Sequence, residues 1–225
     1  MEVSVTLVII IITCIVSFIS FRNQELMDKL IFYPPLVTEK NEWYRFFSCG
    51  FIHADIGHLA LNMYALYGFG IGPDNNGLEF QFIYIFGSNG KLIYLLMYML
   101  ALAVSLIPTY QKNKENYYYK SLGASGAVSA VVFAYILLKP ITYMGIILIP
   151  VYFVSFLFGT LYLLVSYYLD KRGSGNINHS AHIWGALFGL LFLFVACRLF
   201  ADYPVLSLFI EEVKNFDFKN VVRLR

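Results

Sequence analysis

The feature that most constrains the fold of this chain is its series of long apolar stretches, which carry few charges. Apolar residues make up 59% of the 225 residues and charged residues 13%, and the mean hydropathy is +0.67. A soluble domain carries about 25% charged residues, so this chain has too few charges for a water-exposed surface. The composition therefore predicts an integral membrane protein.

Six stretches are long enough to cross a bilayer, for which a helix needs about 20 mostly apolar residues. The second and fourth are the least apolar, and their small and polar residues suit helices that are surrounded by other helices. We predict an all-α membrane protein with a bundle of six transmembrane helices in one domain, residues 1–200, and a peripheral tail, residues 201–225. The predicted helices cover 3–21, 55–71, 91–108, 122–138, 151–169 and 180–200.

The longest connection, residues 22–54, is rich in aromatic side chains, which include Trp43 and Tyr44. Trp and Tyr favour the headgroup level of a bilayer, so we expect this connection to fold against the membrane surface. Residues 141–150 are apolar but few, and we expect them to form a connector. The first stretch has neither a basic leader region nor a cleavage site, which predicts a retained helix.

Charge and cysteine content exclude several classes of partner. The net charge of +2 is small and dispersed, so no basic patch predicts binding to nucleic acid. The three cysteines are far apart and form no CxxC pair. A metal site is an alternative, but the histidines are accompanied by neither an HExxH motif nor a carboxylate partner, and we predict no metal and no cofactor. Those histidines are His53, His58, His179 and His182.

Polar side chains lie near the starts of three predicted helices. His58 and Asn62 lie in the second helix, Ser125 at the start of the fourth and His182 at the start of the sixth. Because the even-numbered helices of a six-helix bundle run in the same direction, these ends lie at a similar depth. Polar groups at membrane depth are costly and usually face a bundle interior or a water-filled cavity. The sequence therefore predicts one polar site shared by the three helices.

Small residues favour a close approach of the fourth and sixth helices. His182, Gly185 and Gly189 follow one stripe of the sixth helix, and Gly126 begins a row of small residues on the fourth. Such residues let helix backbones pack closely, which would bring the Ser125 hydroxyl to the His182 ring. Helix packing alone is the alternative role of the two glycines on the sixth helix.

A serine beside a neutral histidine is the arrangement in which histidine activates a hydroxyl nucleophile. The fourth and sixth stretches contain no Asp or Glu, so we predict a Ser-His dyad rather than a triad. Asp55 and Asp170 are alternatives for a third member, although both suit helix ends or loops.

A tetrahedral oxyanion needs hydrogen-bond donors. The backbone amide of Ser125, at the positive end of the fourth helix, and the side chains of His58 and Asn62 could supply them. An interhelical hydrogen bond is the alternative role of both side chains. Ala127 stands where a nucleophile elbow has its last glycine, so no soluble hydrolase fold is supported.

These motifs, in this order and spacing, resemble those of the rhomboid family of intramembrane serine proteases. The resemblance covers about residues 43–189. It implies a six-helix bundle of rhomboid type that cleaves transmembrane protein substrates in or next to the lipid bilayer, without a metal or a cofactor. It also implies the cytoplasmic membrane of a bacterium, and it leaves the oligomeric state open. The motifs are Trp43-Tyr44-Arg45, residues 53–62, Gly123-Ala124-Ser125-Gly126, and His182 with Gly185 and Gly189.

The resemblance assigns a role to each matching position. Ser125 is the nucleophile, His182 is the general base and then the acid, and His58 and Asn62 match the oxyanion residues. The remaining matched positions are structural, and they are Trp43, Tyr44, Arg45, Gly123, Gly126, Gly185 and Gly189.

The chain departs from the family at one position near the nucleophile. Many rhomboids carry an aromatic residue one helical turn after the serine, packed against the catalytic histidine, whereas this chain has Ser129. The support for His182 must therefore differ. The glycine-containing loop 173–176, before the sixth helix, is expected to be either a lid over the site or a plain connector.

Two functions follow from this sequence. The first is an intramembrane serine protease. The alternative is a catalytically inactive rhomboid-like protein that binds transmembrane helices, although such a protein has no reason to keep both Ser125 and His182. A transporter would show internal repeats, and the sequence has none.

Overall fold

The computed structural model describes residues 3–145, 151–173 and 177–224 and is mostly helical. Short 3-10 turns lie at Cys49–Phe51, Pro73–Asn75, Gly87–Asn89 and Phe218–Asn220. The strands are β1 (Tyr143–Gly145), β2 (Val151–Val154) and β3 (Val222–Leu224). The α-helices are α1 (Val5–Ser20), α2 (Gln24–Leu30), α3 (Pro34–Lys40), α4 (Arg45–Ser48), α5 (Ile56–Gly70), α6 (Leu78–Phe86), α7 (Gly90–Val104), α8 (Ile107–Asn113), α9 (Ser125–Leu138), α10 (Ser155–Arg172), α11 (His179–Phe200) and α12 (Val205–Lys214).

Two helical runs among the described residues are long and apolar enough to cross a membrane. They are Leu78–Asn113, which joins α6 to α8, and His179–Phe200, which is α11. The helices α1 and α9 are apolar but shorter. The structure is therefore that of a helical protein with membrane-length helices, and a bundle of six crossings stays a prediction.

The observed helices overlie the six predicted ones with local differences. The predicted fourth helix, 122–138, begins only at Ser125, and the predicted third, 91–108, is divided between α7 and α8. The helices α2, α3, α4, α6 and α12 lie outside the six predicted stretches. The predicted fifth helix, 151–169, begins instead with the strand β2, because a run of Val, Tyr and Phe also suits a strand. An entirely α-helical fold was thus wrong in one detail, since β2 belongs to a small sheet.

The three strands form an antiparallel sheet in the order β1-β2-β3. Tyr143 lies opposite Val154, and Phe153 lies opposite Val222. The C-terminal residues predicted as a peripheral tail therefore supply the third strand. They also form α12, whose first residue, Val205, is buried in the main core. The predicted connector 141–150 contains β1, and its residues 146–150 lie outside the described part.

The helix α9 lies at the centre of the core, where eleven of its fourteen residues are buried. It contacts α11, α5 and α7. A Cβ on Gly185 would overlap the carbonyl oxygen of Gly126, and one on Gly189 would overlap that of Ala130. The backbones of α9 and α11 are therefore in direct contact along two turns, as small residues at a helix crossing allow.

The first helix is anchored by a buried carboxylate from α6. The side chain of Glu79 is 1% exposed and accepts hydrogen bonds from the Ser4 hydroxyl (2.7 Å) and from the amides of Val5 (2.8 Å) and Thr6 (2.9 Å). The first amides of a helix have no partner within it, and the helix dipole favours a negative charge there. Glu79 therefore satisfies the start of α1.

Candidate active site

The helix α9 begins at Ser125 because the chain turns sharply just before it. Gly123 has φ +112°, in the region that favours glycine, and a Cβ there would lie 2.7 Å from Cε1 of His58. Its amide donates to the carbonyl of Cys49 at 2.9 Å. The turn thus lets the His58 ring lie directly over the backbone that leads into Ser125.

His182 lies in the first turn of α11, and the cap of that helix joins three elements. The Asn178 side-chain oxygen accepts from the amide of Ala181 (3.0 Å) and from the hydroxyl of Thr109 on α8 (3.1 Å). Its amide group donates to the hydroxyl of Ser121, before α9, at 3.4 Å. Asn178 therefore positions the start of α11 against α8 and the chain before Ser125, a role that the sequence analysis missed.

The first turn of α9 packs directly against the second turn of α11, next to both Ser125 and His182. The contact between Gly126 and Gly185 lies one residue after Ser125 and three residues after His182. Within the described residues, however, no hydrogen bond joins the Ser125 hydroxyl to the His182 ring. Catalytic hydrogen bonds often tighten only when a substrate binds, and the dyad itself stays a prediction.

An aromatic ring from α10 covers one face of His182. The ring of Tyr162 is stacked on the imidazole, with 6.1 Å between centroids and 24° between planes. The Tyr162 hydroxyl lies 3.0 Å from the hydroxyl of Ser129 on α9. His179, one turn earlier on α11, meets the His182 ring edge to face at 5.7 Å. The sequence analysis did not identify Tyr162, and it grouped His179 with His182 only as a possible metal site.

The predicted oxyanion residues lie on α5. Asp55 caps this helix by accepting from the amide of His58 at 2.8 Å, which agrees with a helix-end role for this aspartate. The side chain of Asn62 is buried and donates to the backbone carbonyl of His58 at 3.0 Å. An amide side chain has a second N–H group, so this bond leaves one donor for a substrate.

A second histidine, His53, supports the turn at Gly123 that precedes Ser125. His53 is fully buried, and its Nε2 accepts from the amide of Ala124 at 3.4 Å. Because Nε2 accepts, the ring proton is assigned to Nδ1, which faces the Ser17 hydroxyl at 3.0 Å. Burial lowers the pKa of His53 to about 3, which keeps the ring neutral. His53 thus ties α1 to the residue that precedes Ser125.

Comparison with known proteins gives the family. A family model of the Rhomboid domain matches residues 40–199. The chain belongs to the rhomboid family. That match encloses residues 43–189, so the resemblance drawn from the motifs is confirmed.

Two curated relatives of this rhomboid carry mitochondrial names. The Presenilin-associated rhomboid-like protein, mitochondrial, of Rattus norvegicus is 30% identical over 147 residues, which cover 64% of this chain and 35% of the relative. The RHOMBOID-like protein 12, mitochondrial, of Arabidopsis thaliana is 32% identical over 145 residues, which cover 62% and 42%. The chain thus spans less than half the length of these relatives.

The first-loop motif of this rhomboid is organised by Arg45. Its side chain is 3% exposed and donates to the carboxylate of Glu42 at 2.6 Å. It also donates to the backbone carbonyls of Asp28 (2.9 Å) and Ile31 (2.7 Å). The planar guanidinium can reach several acceptors at once, so Arg45 holds the end of α2 against α4.

The two aromatic residues before Arg45 extend this packing. Trp43 is stacked on Phe46, with 5.8 Å between centroids and 13° between planes. The hydroxyl of Tyr44 donates to the carbonyl of Lys29 at 3.1 Å. Both side chains are about half exposed, so each ring also presents a face outside the protein.

Two further expectations from the sequence concern a metal site and a lid over the active site. Among the residues that the structure describes, no group of three or more His, Cys, Asp or Glu could hold a metal ion. The histidines instead form two pairs of rings, of which His53 and His58 are 4.9 Å apart. Of the loop 173–176, residues 174–176 lie outside the described part, and its lid role stays untested.

Proposed function

We propose that this rhomboid is a serine endopeptidase that hydrolyses peptide bonds of transmembrane proteins through Ser125 and His182. The observation that carries the proposal is the backbone contact between Gly126, in the first turn of α9, and Gly185, in the second turn of α11 and three residues after His182. That contact fixes the segments that bear the two side chains against each other. A packing role alone would not require a serine and a histidine beside it.

The reaction proceeds in two halves. The neutral His182 ring takes the proton from the Ser125 hydroxyl as the oxygen attacks the scissile carbonyl, and the imidazolium then protonates the leaving amine. This releases one product and leaves an acyl ester on Ser125. His182 next takes a proton from water, which attacks the ester, and returns it to the serine.

The oxyanion formed in each half would be stabilised from two sides. The amide of Ser125 lies at the positive end of α9, where the first helical amides have no intrahelical partner. His58 lies over the Gly123 turn, and Asn62 lies one turn later on α5. Removal of one such donor typically lowers the rate about a hundred- to a thousand-fold.

The setting that we propose is a lipid bilayer crossed by six helices, α1, α5, α7, α9, α10 and α11. The substrates are transmembrane proteins, and no cofactor takes part. The mitochondrial names of the matched relatives argue against the bacterial cytoplasmic membrane that the sequence suggested, so the proposal is limited to an integral membrane location.

One observation favours the second candidate, an inactive rhomboid-like protein that binds transmembrane helices. In the described part of the chain, the Ser125 hydroxyl and the His182 ring form no hydrogen bond to each other. A protein that only binds transmembrane helices needs the contact between α9 and α11 but needs no proton transfer from Ser125 to His182.

Labelling with a fluorophosphonate probe separates the two candidates. In this reaction the Ser125 oxygen bonds to phosphorus, fluoride leaves, and the proton passes to His182. We expect labelling of the wild type and of Ser88→Ala, a serine on an exposed turn, and none of Ser125→Ala or His182→Ala. If the folded wild type stays unlabelled in detergent and in liposomes, the binder is the better description.

A further inference from the structure

Further along α9, the face that begins with Ser125 is covered by a tyrosine of α10. Ser125, Ser129 and Phe133 are spaced four residues apart and therefore lie on one side of the helix. Tyr162 of α10 contacts the second of these through its hydroxyl, at 3.0 Å, and the third through its ring, at 5.7 Å between centroids. It thus rests on the nucleophile helix.

The same ring forms a flat support for the base. Stacked aromatic rings are favourable at centroid distances of about 4.5 to 7 Å, and the Tyr162 and His182 rings are 6.1 Å apart at 24°. An imidazole can turn about its side-chain bonds. An aromatic ring stacked on one face of the imidazole restricts that rotation and keeps the two ring nitrogens in a fixed orientation.

The hydroxyl contact explains why the support is a tyrosine. Ser129 is 4% exposed, and a buried hydroxyl is unfavourable without a hydrogen-bond partner. Tyr162 supplies that partner, and Ser129 in turn fixes the height of the tyrosine along α9. The two hydroxyls therefore set the position of the ring relative to both Ser125 and His182.

We infer that Tyr162, held by Ser129, is a positioning residue that orients His182 for proton transfer, an inference that rests on the proposed function. Tyr162 acts through the His182 ring and not on the substrate. Because it belongs to α10 while Ser125 and His182 belong to α9 and α11, the orientation of the base depends on α10 being seated against α9. A movement of α10 away from α9 would release the base.

The kinetics of fluorophosphonate labelling test this inference. The maximal rate of inactivation, kinact, reports the covalent step, whereas KI reports binding of the probe. We expect Tyr162→Leu to lower kinact about ten- to a hundred-fold, as misplacement of a catalytic group by about 1 Å does, with KI within about twofold. Tyr162→Phe keeps the ring and should lose less kinact than Tyr162→Leu.

A double-mutant cycle tests the contact between the Ser129 and Tyr162 hydroxyls. Ser129→Ala and Tyr162→Phe each remove one partner of the same contact, so the double variant should be no slower than either single variant. Tyr168→Leu is the matched control, because this tyrosine of α10 is 54% exposed and contacts Arg172 rather than the site. Its kinact should equal that of the wild type.

An exchange of the residues at positions 129 and 162 gives a test that remains valid if Tyr162→Leu disturbs the packing of α10. Tyr162→Ser combined with Ser129→Tyr moves the aromatic ring to α9 and keeps both residue types. We expect kinact of this exchange to exceed that of Tyr162→Ser alone by about fivefold or more. That gain would not arise if Tyr162 only filled space in α10.

The possible results are distinguishable. If the wild type is unlabelled, the proposed function fails, and the inference fails with it. If the wild type is labelled and Tyr162→Leu keeps the wild-type kinact, the inference alone is overturned. If Tyr162→Leu is slow but the exchange restores nothing, positioning by the ring is also overturned.

Discussion

The carbonyl oxygen of Gly126 occupies the space that a Cβ on Gly185 would need. This single overlap places the backbone after the proposed nucleophile against the helix of the proposed base. Close packing of α9 and α11 and the geometry of the site are therefore one property of the molecule, and glycine is required at position 185 for steric reasons.

Gly185→Ala should separate α9 from α11 and abolish fluorophosphonate labelling, together with a lower melting temperature in detergent. The matched control is Gly68→Ala on α5, where a Cβ would meet no atom within 4 Å. Alanine is the better helix former by about 1 kcal/mol, so the control should be as stable as the wild type or more so. Equal labelling of both variants would contradict the steric account.

Arg45→Ala should destabilise the first connection, because it removes the ion pair with Glu42 and the hydrogen bonds to two backbone carbonyls. Breaking a buried ion pair costs about 3–5 kcal/mol, and because the Glu42 side chain is 24% exposed we expect a loss at the lower end of that range. Arg198→Ala, in which an exposed pair with Asp202 is lost, should change the free energy of unfolding by less than about 1 kcal/mol. Unfolding in detergent measures both, and similar losses would refute a special role for Arg45.

Glu79→Gln should weaken the anchoring of the first turn of α1. The amide keeps one oxygen acceptor but loses the negative charge that three donors now share. We expect a loss of about 1–3 kcal/mol, since hydrogen bonds to a buried charged group are affected. Glu25→Gln removes only an exposed pair with Lys29 and should be nearly neutral. An unchanged melting temperature for Glu79→Gln would show that the cap is dispensable.

His53 should make the fold sensitive to acid. Burial lowers its pKa to about 3 from an ordinary value of 6.5, so between these values the unfolded chain binds a proton that the folded chain does not. The contribution of the neutral His53 ring to the free energy of unfolding is therefore fully present well above pH 6.5. It falls as the pH drops toward 3, by up to about 1.4 kcal/mol per pH unit. His53→Asn should be less stable at pH 7 but should show a shallower decline between pH 6.5 and 4. An equally steep decline in the variant would contradict the assignment.

The location of the polar residues could be predicted because it depends on local sequence. Ser125 and His182 lie in the first turns of α9 and α11, as the apolar stretches indicated. The start of α9 was less well predicted, because hydropathy does not reveal the left-handed turn at Gly123 that delays the helix. The strand β2 was missed because its pairing partners lie elsewhere in the chain.

The role of Asn62 shows the limit of helical spacing as a guide. Spacing placed it one turn after His58, and the structure has it there, but its side chain donates to the His58 carbonyl in the same helix. Ser129 was recognised as a departure from the family pattern, yet its partner Tyr162 is 33 residues away. No local pattern connects the two.

The sequence alone determined that this protein is built from apolar helices and that a serine and a histidine begin two of them, because hydropathy and helical period are properties of neighbouring residues. The tertiary structure decided that Tyr162 stacks on His182, that Glu79 caps α1 and that His53 supports the turn before Ser125. Those contacts depend on which helix faces meet, and that choice is made by the packing of the whole bundle.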